Sequence, residues 1–263
     1  MLERLRSRFV DVKSRPQAST GGALIYAVGD IHGRSDLLAP LLLKLEDDID
    51  KLGHSHPPVV LFIGDYVDRG PDSRGVVERI LALRKLSGWD VRTLKGNHEH
   101  QLLAFLDDSK KGPAWVEFGG TATLASYDVE PPPARSDADR WEQARSQLQA
   151  SLSGEHLAFF RGLDLAVVCG DYLFVHAGVR PGVPLHDQAE ADLLWIRDDF
   201  LSSSQAFGKV VVHGHTPEAE PYLGQNRIGI DTGAYATSTL TAVRLFGTER
   251  DIIQARSSWR HNC

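Results

Sequence analysis

The stretch Gly64 to Gly70, GDYVDRG, puts the three charges of Asp65, Asp68 and Arg69 into one short turn directly after the apolar run Val59 to Ile63. Such crowding makes a poor turn unless something binds there. Two other stretches have the same form: GDIHG carries Asp30 and His32, and GNHE carries Asn97 and His98. Further on, VHAG offers His176 and VHGHTP offers His215, each beside a glycine. Imidazole, carboxylate and amide oxygen without thiolate suit first-row divalent ions such as manganese, iron, zinc or nickel. One catalytic metal usually takes about three protein ligands and keeps a position open, so this set is too large for one ion. Two divalent ions fit better, with Asp65 as the bridge, Asp30 and His32 completing one ion, and Asn97, His176 and His215 completing the other.

Two divalent ions outweigh the charges of Asp30, Asp65 and a shared hydroxide, so the site stays net positive and suits an anionic phosphate ester. A metal pair about 3.5 to 4 Å apart acidifies a shared water and clamps phosphoryl oxygens during in-line displacement. Arg69 can make a two-pronged hydrogen bond to phosphate, and Asn97 counts among the groups facing that phosphate as well as among the ligands. His98 can protonate the leaving oxygen, with Asp68 fixing its tautomer and raising its pKa. Gly64 and Gly70 let the backbone turn sharply beside the ions.

Something must hold these loops at one place. The strand-like runs Ala23 to Val28, Pro58 to Ile63 and Trp89 to Lys95 each end in one of the first three motifs, and the amphipathic segments after the first two read as helices. The first helix ends at Gly53, with Pro40 in its early turns or kinking it. Strand, loop and helix in alternation predict a parallel or mixed sheet covered by helices, and ligands in such sheets bind at the carboxyl ends of the strands. From Leu163 onward, short runs rich in Val, Ile and Leu predict a second sheet that includes Ser238 to Phe246. The stretch from about 112 to 161 breaks the alternation and reads as a helical insertion or cap. The expected organisation is a flexible arm at 1–20 and a single α/β domain at 21–263, a two-layer β-sandwich flanked by helices.

Composition narrows the partners. With 263 residues, 42% hydrophobic content and a net charge of −6, the chain reads as an ordinary globular protein with no general attraction for nucleic acid. No apolar run approaches the roughly 18 residues of a membrane span. Only two cysteines occur, Cys169 and Cys263, which indicates neither a disulfide framework nor a thiolate site and fits the cytoplasm.

Taken together, GDIHG, GDYVDRG, GNHE, HAG and GHT resemble the phosphoprotein phosphatase family of metallophosphoesterases, especially the lambda-type serine/threonine phosphatases of bacteria and phages. The resemblance implies a β-sandwich between helices, a dinuclear centre often active with manganese, and direct attack by metal-bound hydroxide without a phosphoenzyme. It carries over Asp30, His32, Asp65, Asn97, His176 and His215 as ligands, Asp68 and His98 as the acid pair and Arg69 as a phosphate arginine. LLWIRDD resembles the context of a second phosphate arginine, which points to Arg197. Two departures stand out. Gly214-His215-Thr216 lacks the Gly-His-x-His ending of other branches, and HAG replaces the HGG of eukaryotic members.

The expected substrate is a phosphoprotein or phosphopeptide cleaved at phosphoserine or phosphothreonine. Symmetrical hydrolysis of dinucleoside tetraphosphates by the same centre is the alternative, because bacterial diadenosine tetraphosphatases resemble this family too. A non-catalytic phosphoprotein-binding module comes third, since pure binding requires neither His98 nor Asp68. Aromatic or arginine stacking surfaces in the insertion and late loops would favour the nucleotide. Outside the motifs, His213 reads as structural or as a support to a ligand, Asp231 as a turn residue or a partner of a ligand histidine, and Trp115, Trp141 and Tyr235 as buried or as groove residues. His54, His56, His100, His156, His186 and His261 are expected to be solvated or locally hydrogen-bonded.

Overall fold

The computed structural model describes residues 17–133 and 136–257. In chain order the elements begin with β1 (Leu24–Val28), α1 (Ser35–Leu52), β2 (Val59–Phe62), α2 (Ser73–Leu86), β3 (Asp90–Thr93) and α3 (Asn97–Asp107). A run of helices follows: α4 (Gly112–Glu117), α5 (Gly120–Ser126), α6 (Ala138–Ser151) and α7 (Gly154–Arg161). The chain then forms β4 (Ala166–Cys169), β5 (Tyr172–Val175), α8 (Glu190–Trp195), α9 (Asp198–Leu201) and β6 (Val210–His213). It closes with β7 (Tyr222–Leu223), β8 (Arg227–Gly229), α10 (Ala234–Thr237), β9 (Thr239–Phe246) and β10 (Glu249–Arg256).

Two mixed five-stranded sheets result, ordered β10-β9-β1-β2-β3 and β4-β5-β6-β8-β7. Strand periodicity explains how they stack, because alternate residues of a strand face opposite sides. In β1, Ile25 and Ala27 join Leu61, Phe174, Val212 and Val243 in the core between the sheets. Leu24, Tyr26 and Val28 point the other way, against Leu37, Leu41 and Val76 of the covering helices. The apolar spacing of Leu37, Leu38, Leu41 and Leu45 gives α1 one buried stripe, and each fully buried leucine contributes roughly 1.5–3 kcal/mol. Pro40 lies inside α1, which ends where Gly53 takes the left-handed conformation, φ 58°. A third apolar cluster, with Phe200 and Ile196, covers the outer face of β5 and β6.

One expectation needs correction. The run at 239–246 does not join the second sheet; β9 pairs antiparallel with β1, Ala27 opposite Val243, and with β10. Val243 and Leu245 face the inter-sheet core, a position that strands of either sheet satisfy with the same alternation, so the pattern alone does not assign the partner.

Residues 1–16 of the expected arm lie outside the described residues, as do His261 and Cys263. Ser19 and Thr20 hold to the body, their N–H groups donating to Asp171 Oδ2 (3.0 Å) and to the Gly247 carbonyl (3.0 Å). Among the described residues no helix is long and apolar enough to cross a membrane.

Candidate metal centre

The loops after β1, β2, β5 and β6 and the start of α3 meet at one edge of the sandwich. They interlock tightly: the Ile31 and His32 N–H groups donate to the Asp65 carbonyl (3.1 and 2.8 Å), and a Cβ at Gly70 would lie 2.0 Å from the His32 carbonyl oxygen. Of the seven described non-glycine residues with positive φ, five belong to this edge: His32, Asp65, Asp68, Arg69 and His215. Left-handed backbone at a non-glycine residue persists only where the surroundings impose it, so the strain marks the place where side chains are being aimed.

The histidines show what they are aimed at. His32 donates from Nδ1 to the Val67 carbonyl (2.9 Å) and His176 from Nδ1 to the Ile63 carbonyl (3.0 Å). Each neutral ring therefore turns an Nε2 lone pair inward. His32 Nε2 lies 3.5 Å from Asp65 Oδ2, and His176 Nε2 lies 3.5 Å from Asp65 Oδ1. His176 Nε2 also faces Asn97 Oδ1 at 2.9 Å, which His215 Nδ1 approaches at 2.8 Å. Burial pushes the imidazoles down, His32 to about 3 and His215 to about 2, and lowers His176 as well. Burial acts to raise Asp65, and it is positive charge at the surrounding positions of His176, His98, His32 and His215 that lowers it below the usual carboxylate range.

Lone pairs converging on an anion without protons between them are what a cation relieves. Two buried atoms of the edge, Asp30 Oδ1 and His215 Nε2, have no hydrogen-bond partner among the described residues, and such atoms are costly unless something binds them. The donor atoms gather in two groups, His32 with Asp65 and His98, and Asp65 with His176 and His215. Asp65 is common to both, and nitrogen with carboxylate oxygen fits divalent transition ions. Asp30 stands beside them, its Oδ2 accepting the His215 N–H (2.9 Å). Burial, then Asp231 and Asp65, push Asp30 well above its usual range. Asp231 uses Oδ1 as a turn acceptor for the Gly233 N–H (2.8 Å).

His98 is held in another way. Its Nδ1 lies 2.7 Å from Asp68 Oδ2, and its Nε2 lies 3.9 Å from Asp65 Oδ2. Burial would lower its pKa, but Asp65 and Asp68 more than reverse this and raise it above the ordinary value. Asp68 is itself fully committed: Oδ2 accepts from Trp115 Nε1 (3.0 Å) and Oδ1 from Thr123 Oγ1 (2.6 Å). Of the two readings of Trp115, buried or groove-lining, the structure gives the buried one, and the ring positions the acid pair.

Arg69 lies at the edge with its Nη1 3.2 Å from His32 Nε2 and its guanidinium 4.7 Å from the Tyr235 ring. Arg197 sits on the other flank, donating to the His215 carbonyl (3.1 Å) and Thr216 Oγ1 (3.0 Å). Tyr235 is half-buried with its ring edge-on to His32 at 5.3 Å. Trp141 is buried away from the edge. His213 stays outside the donor set, its Nε2 3.3 Å from Arg227 Nη1. His156 is buried against the Tyr127 hydroxyl (2.9 Å). His54 bonds the carbonyls of His56 and Gly22, His100 lies 3.8 Å from Glu190, and His186 is exposed beside Asp187.

The residue that motif reading missed is Glu99. Fully buried, it accepts the N–H groups of Asp65 (2.9 Å), Tyr66 (2.8 Å), Val67 (3.2 Å) and Gly96 (2.9 Å), and so ties the Asp65 turn to α3. The signal was a Glu at the third helical position after a glycine cap.

Comparison with known proteins agrees with this geometry. The family described as calcineurin-like phosphoesterase matches residues 23–244. A curated relative from Bacillus velezensis, bis(5'-nucleosyl)-tetraphosphatase PrpE, asymmetrical, is 28% identical over 250 residues, which cover 88% of this chain and 92% of that protein. Among solved structures, a putative diadenosine tetraphosphatase superposes with a TM-score of 0.55 at 18% identity, covering 90% of this chain and 96% of the other. A protein serine/threonine phosphatase from Saccharomyces cerevisiae gives 0.55 at 17% identity, covering 92% and 82%. These two likenesses show the shared fold. The relatives from Bacillus velezensis and Bacillus subtilis carry the name of a nucleotide hydrolase.

Proposed function

The chain belongs to the calcineurin-like phosphoesterases, and from that premise we propose that it hydrolyses dinucleoside tetraphosphates at the cluster centred on Asp65. The site itself supports a phosphate ester, because two arginines stand beside the cluster, Arg69 at His32 and Arg197 at His215. Such a pair serves any phosphate ester, a phosphomonoester included, so it marks a phosphate site without choosing the substrate. The observation that carries the tetraphosphate reading is the name of the curated relatives, and their asymmetrical cleavage replaces symmetrical cleavage as the outcome to expect.

Asp30, His32, Asp65, Asn97, His176 and His215 are the residues that would hold two divalent ions. Bound there, such ions acidify water and neutralise phosphoryl charge; manganese is the ion to test first. The protein's own part is proton and charge placement. His98, whose pKa Asp65 and Asp68 raise, supplies a proton to the leaving oxygen. Asp68 cannot rotate away, because Trp115 and Thr123 hold both of its oxygens. Arg69 and Arg197 bind phosphoryl oxygens as charge-assisted donors.

A second reading, hydrolysis of phosphoserine and phosphothreonine, has the buried acid pair in its favour. A serine alkoxide is a poor leaving group and needs the proton more than a leaving phosphate does. The deciding experiment compares kcat/KM for diadenosine tetraphosphate and a phosphoseryl peptide with manganese added. Preference for the dinucleotide, with release of AMP and ATP, is expected; preference for the peptide overturns the proposal in favour of the second reading. His98→Asn is the control: kcat on the peptide falls about 100- to 10,000-fold, and on the dinucleotide less, while bound metal stays constant. Unchanged turnover on both would remove His98 from its role.

A further inference from the structure

Two aromatic rings beside the centre do no work in the core. Phe118 is 37% exposed, and Trp195, at the end of α8, is half-buried while its neighbours Leu194 and Ile196 are buried. Their centroids lie 5.9 Å apart at 68°. Phe118 stands edge-on to His98 at 6.3 Å and Trp195 edge-on to His215 at 6.2 Å. The pair therefore spans the rim from the proton donor to the second-sheet side. Trp195 and Arg197 share the lining of an open cavity of about 370 Å³ with Asp192, Asp198, Asp199 and Arg180. That is the size of a small-molecule site.

Charge divides this cavity. Arg180 is taken up by Asp192 and Asp199, at 2.5 and 3.2 Å, so this acidic part of the lining repels phosphate and suits hydrogen-bond donors. Arg197, whose partners are a carbonyl and a hydroxyl, keeps its charge for an anion. An apolar ring, a cation and carboxylates in one lining suit a nucleoside 5'-phosphate: base on the ring, phosphate on the guanidinium, amino or ribose hydroxyl donors toward the acids. We propose that Trp195 and Phe118 form the stacking surface for a nucleobase of the substrate, with its 5'-phosphate on Arg197. This rests on the dinucleotide reading above. Base stacking on an aromatic side chain contributes about 1–3 kcal/mol, or roughly 5- to 150-fold in affinity.

The test is equilibrium binding by calorimetry to the full metal-loaded chain, with AMP and ribose 5-phosphate as probes. AMP is expected to bind roughly 5- to 150-fold more tightly. Trp195→Ala should abolish most of that preference while leaving the affinity for ribose 5-phosphate unchanged, and Trp195→Phe, which keeps a ring, should retain it. Equal affinities in the natural chain, or a preference that survives Trp195→Ala with Phe118→Ala, overturn the inference. Because the readout is binding and not turnover, the two readings fail separately. An AMP preference that depends on Trp195 supports the stacking surface even if the dinucleotide is not hydrolysed, and that second result strikes only the substrate proposal.

Discussion

On the first-sheet side of the centre, Glu99 gathers four backbone N–H groups and the Asp68 carboxylate accepts from His98, Trp115 and Thr123. On the second-sheet side, Arg197 is exposed and rests on one carbonyl and one hydroxyl, and Trp195 touches its neighbours through ring edges. The first side also carries four of the five strained residues, His32, Asp65, Asp68 and Arg69. The carboxylate that orients the proton donor is placed where both of its oxygens are bonded. Groups that meet the variable part of a substrate are placed where side chains can adjust.

Glu99→Ala attacks this contrast most directly. Four buried N–H groups lose their acceptor, and each unsatisfied buried group costs about 1–3 kcal/mol; some relaxation leaves an expected loss of at least about 3 kcal/mol. Denaturant unfolding should show that loss together with near-complete loss of activity. A stable, active variant would mean that the Asp65 turn needs no such tie. Arg197→Ala should be milder: KM for the phosphate substrate rises about 10-fold, a typical worth of one charge-assisted hydrogen bond, and the melting temperature stays put. Equal damage to kcat and stability would erase the difference between the sides.

The smallest effect concerns a buried histidine remote from both sides. Burial lowers the pKa of His156 below the ordinary imidazole value, about 6.5. The unfolded chain then binds the proton more readily, so this contribution to stability is complete above about pH 6.5 and is lost as the pH falls. His156→Gln should flatten the acid side of the stability profile without changing activity. An unaltered slope would show that other groups set it.

Much of the centre was legible because its residues sit next to glycine at strand ends, a local pattern. Asp30, His32, Asp65, Asn97, His176 and His215 come together from five such places. Their supports were not legible. Thr123 reaches Asp68 across 55 positions and Trp115 across 47, and neither lies in a motif. Glu99 was hidden differently: it stands inside GNHE, but its work is done on the backbone of a turn 32 to 34 positions earlier. The same limit applied to the fold. A short run rich in β-forming residues identified β9 as a strand, and only its pairing with β1 assigned its sheet.

That pairing has a consequence for how the molecule is made. β1 lies between β2 and β9, so a nascent chain emerging from the ribosome holds one edge of its first strand open until the segment around Val243 arrives to meet Ala27. Contacts so distant along the chain slow folding, and an open apolar strand edge is a template for the wrong partner. The centre's first-sheet loops are all translated early, yet the sheet beneath them closes almost last. Synthesis arrested before β9 would leave the complete early motifs on an unfinished scaffold.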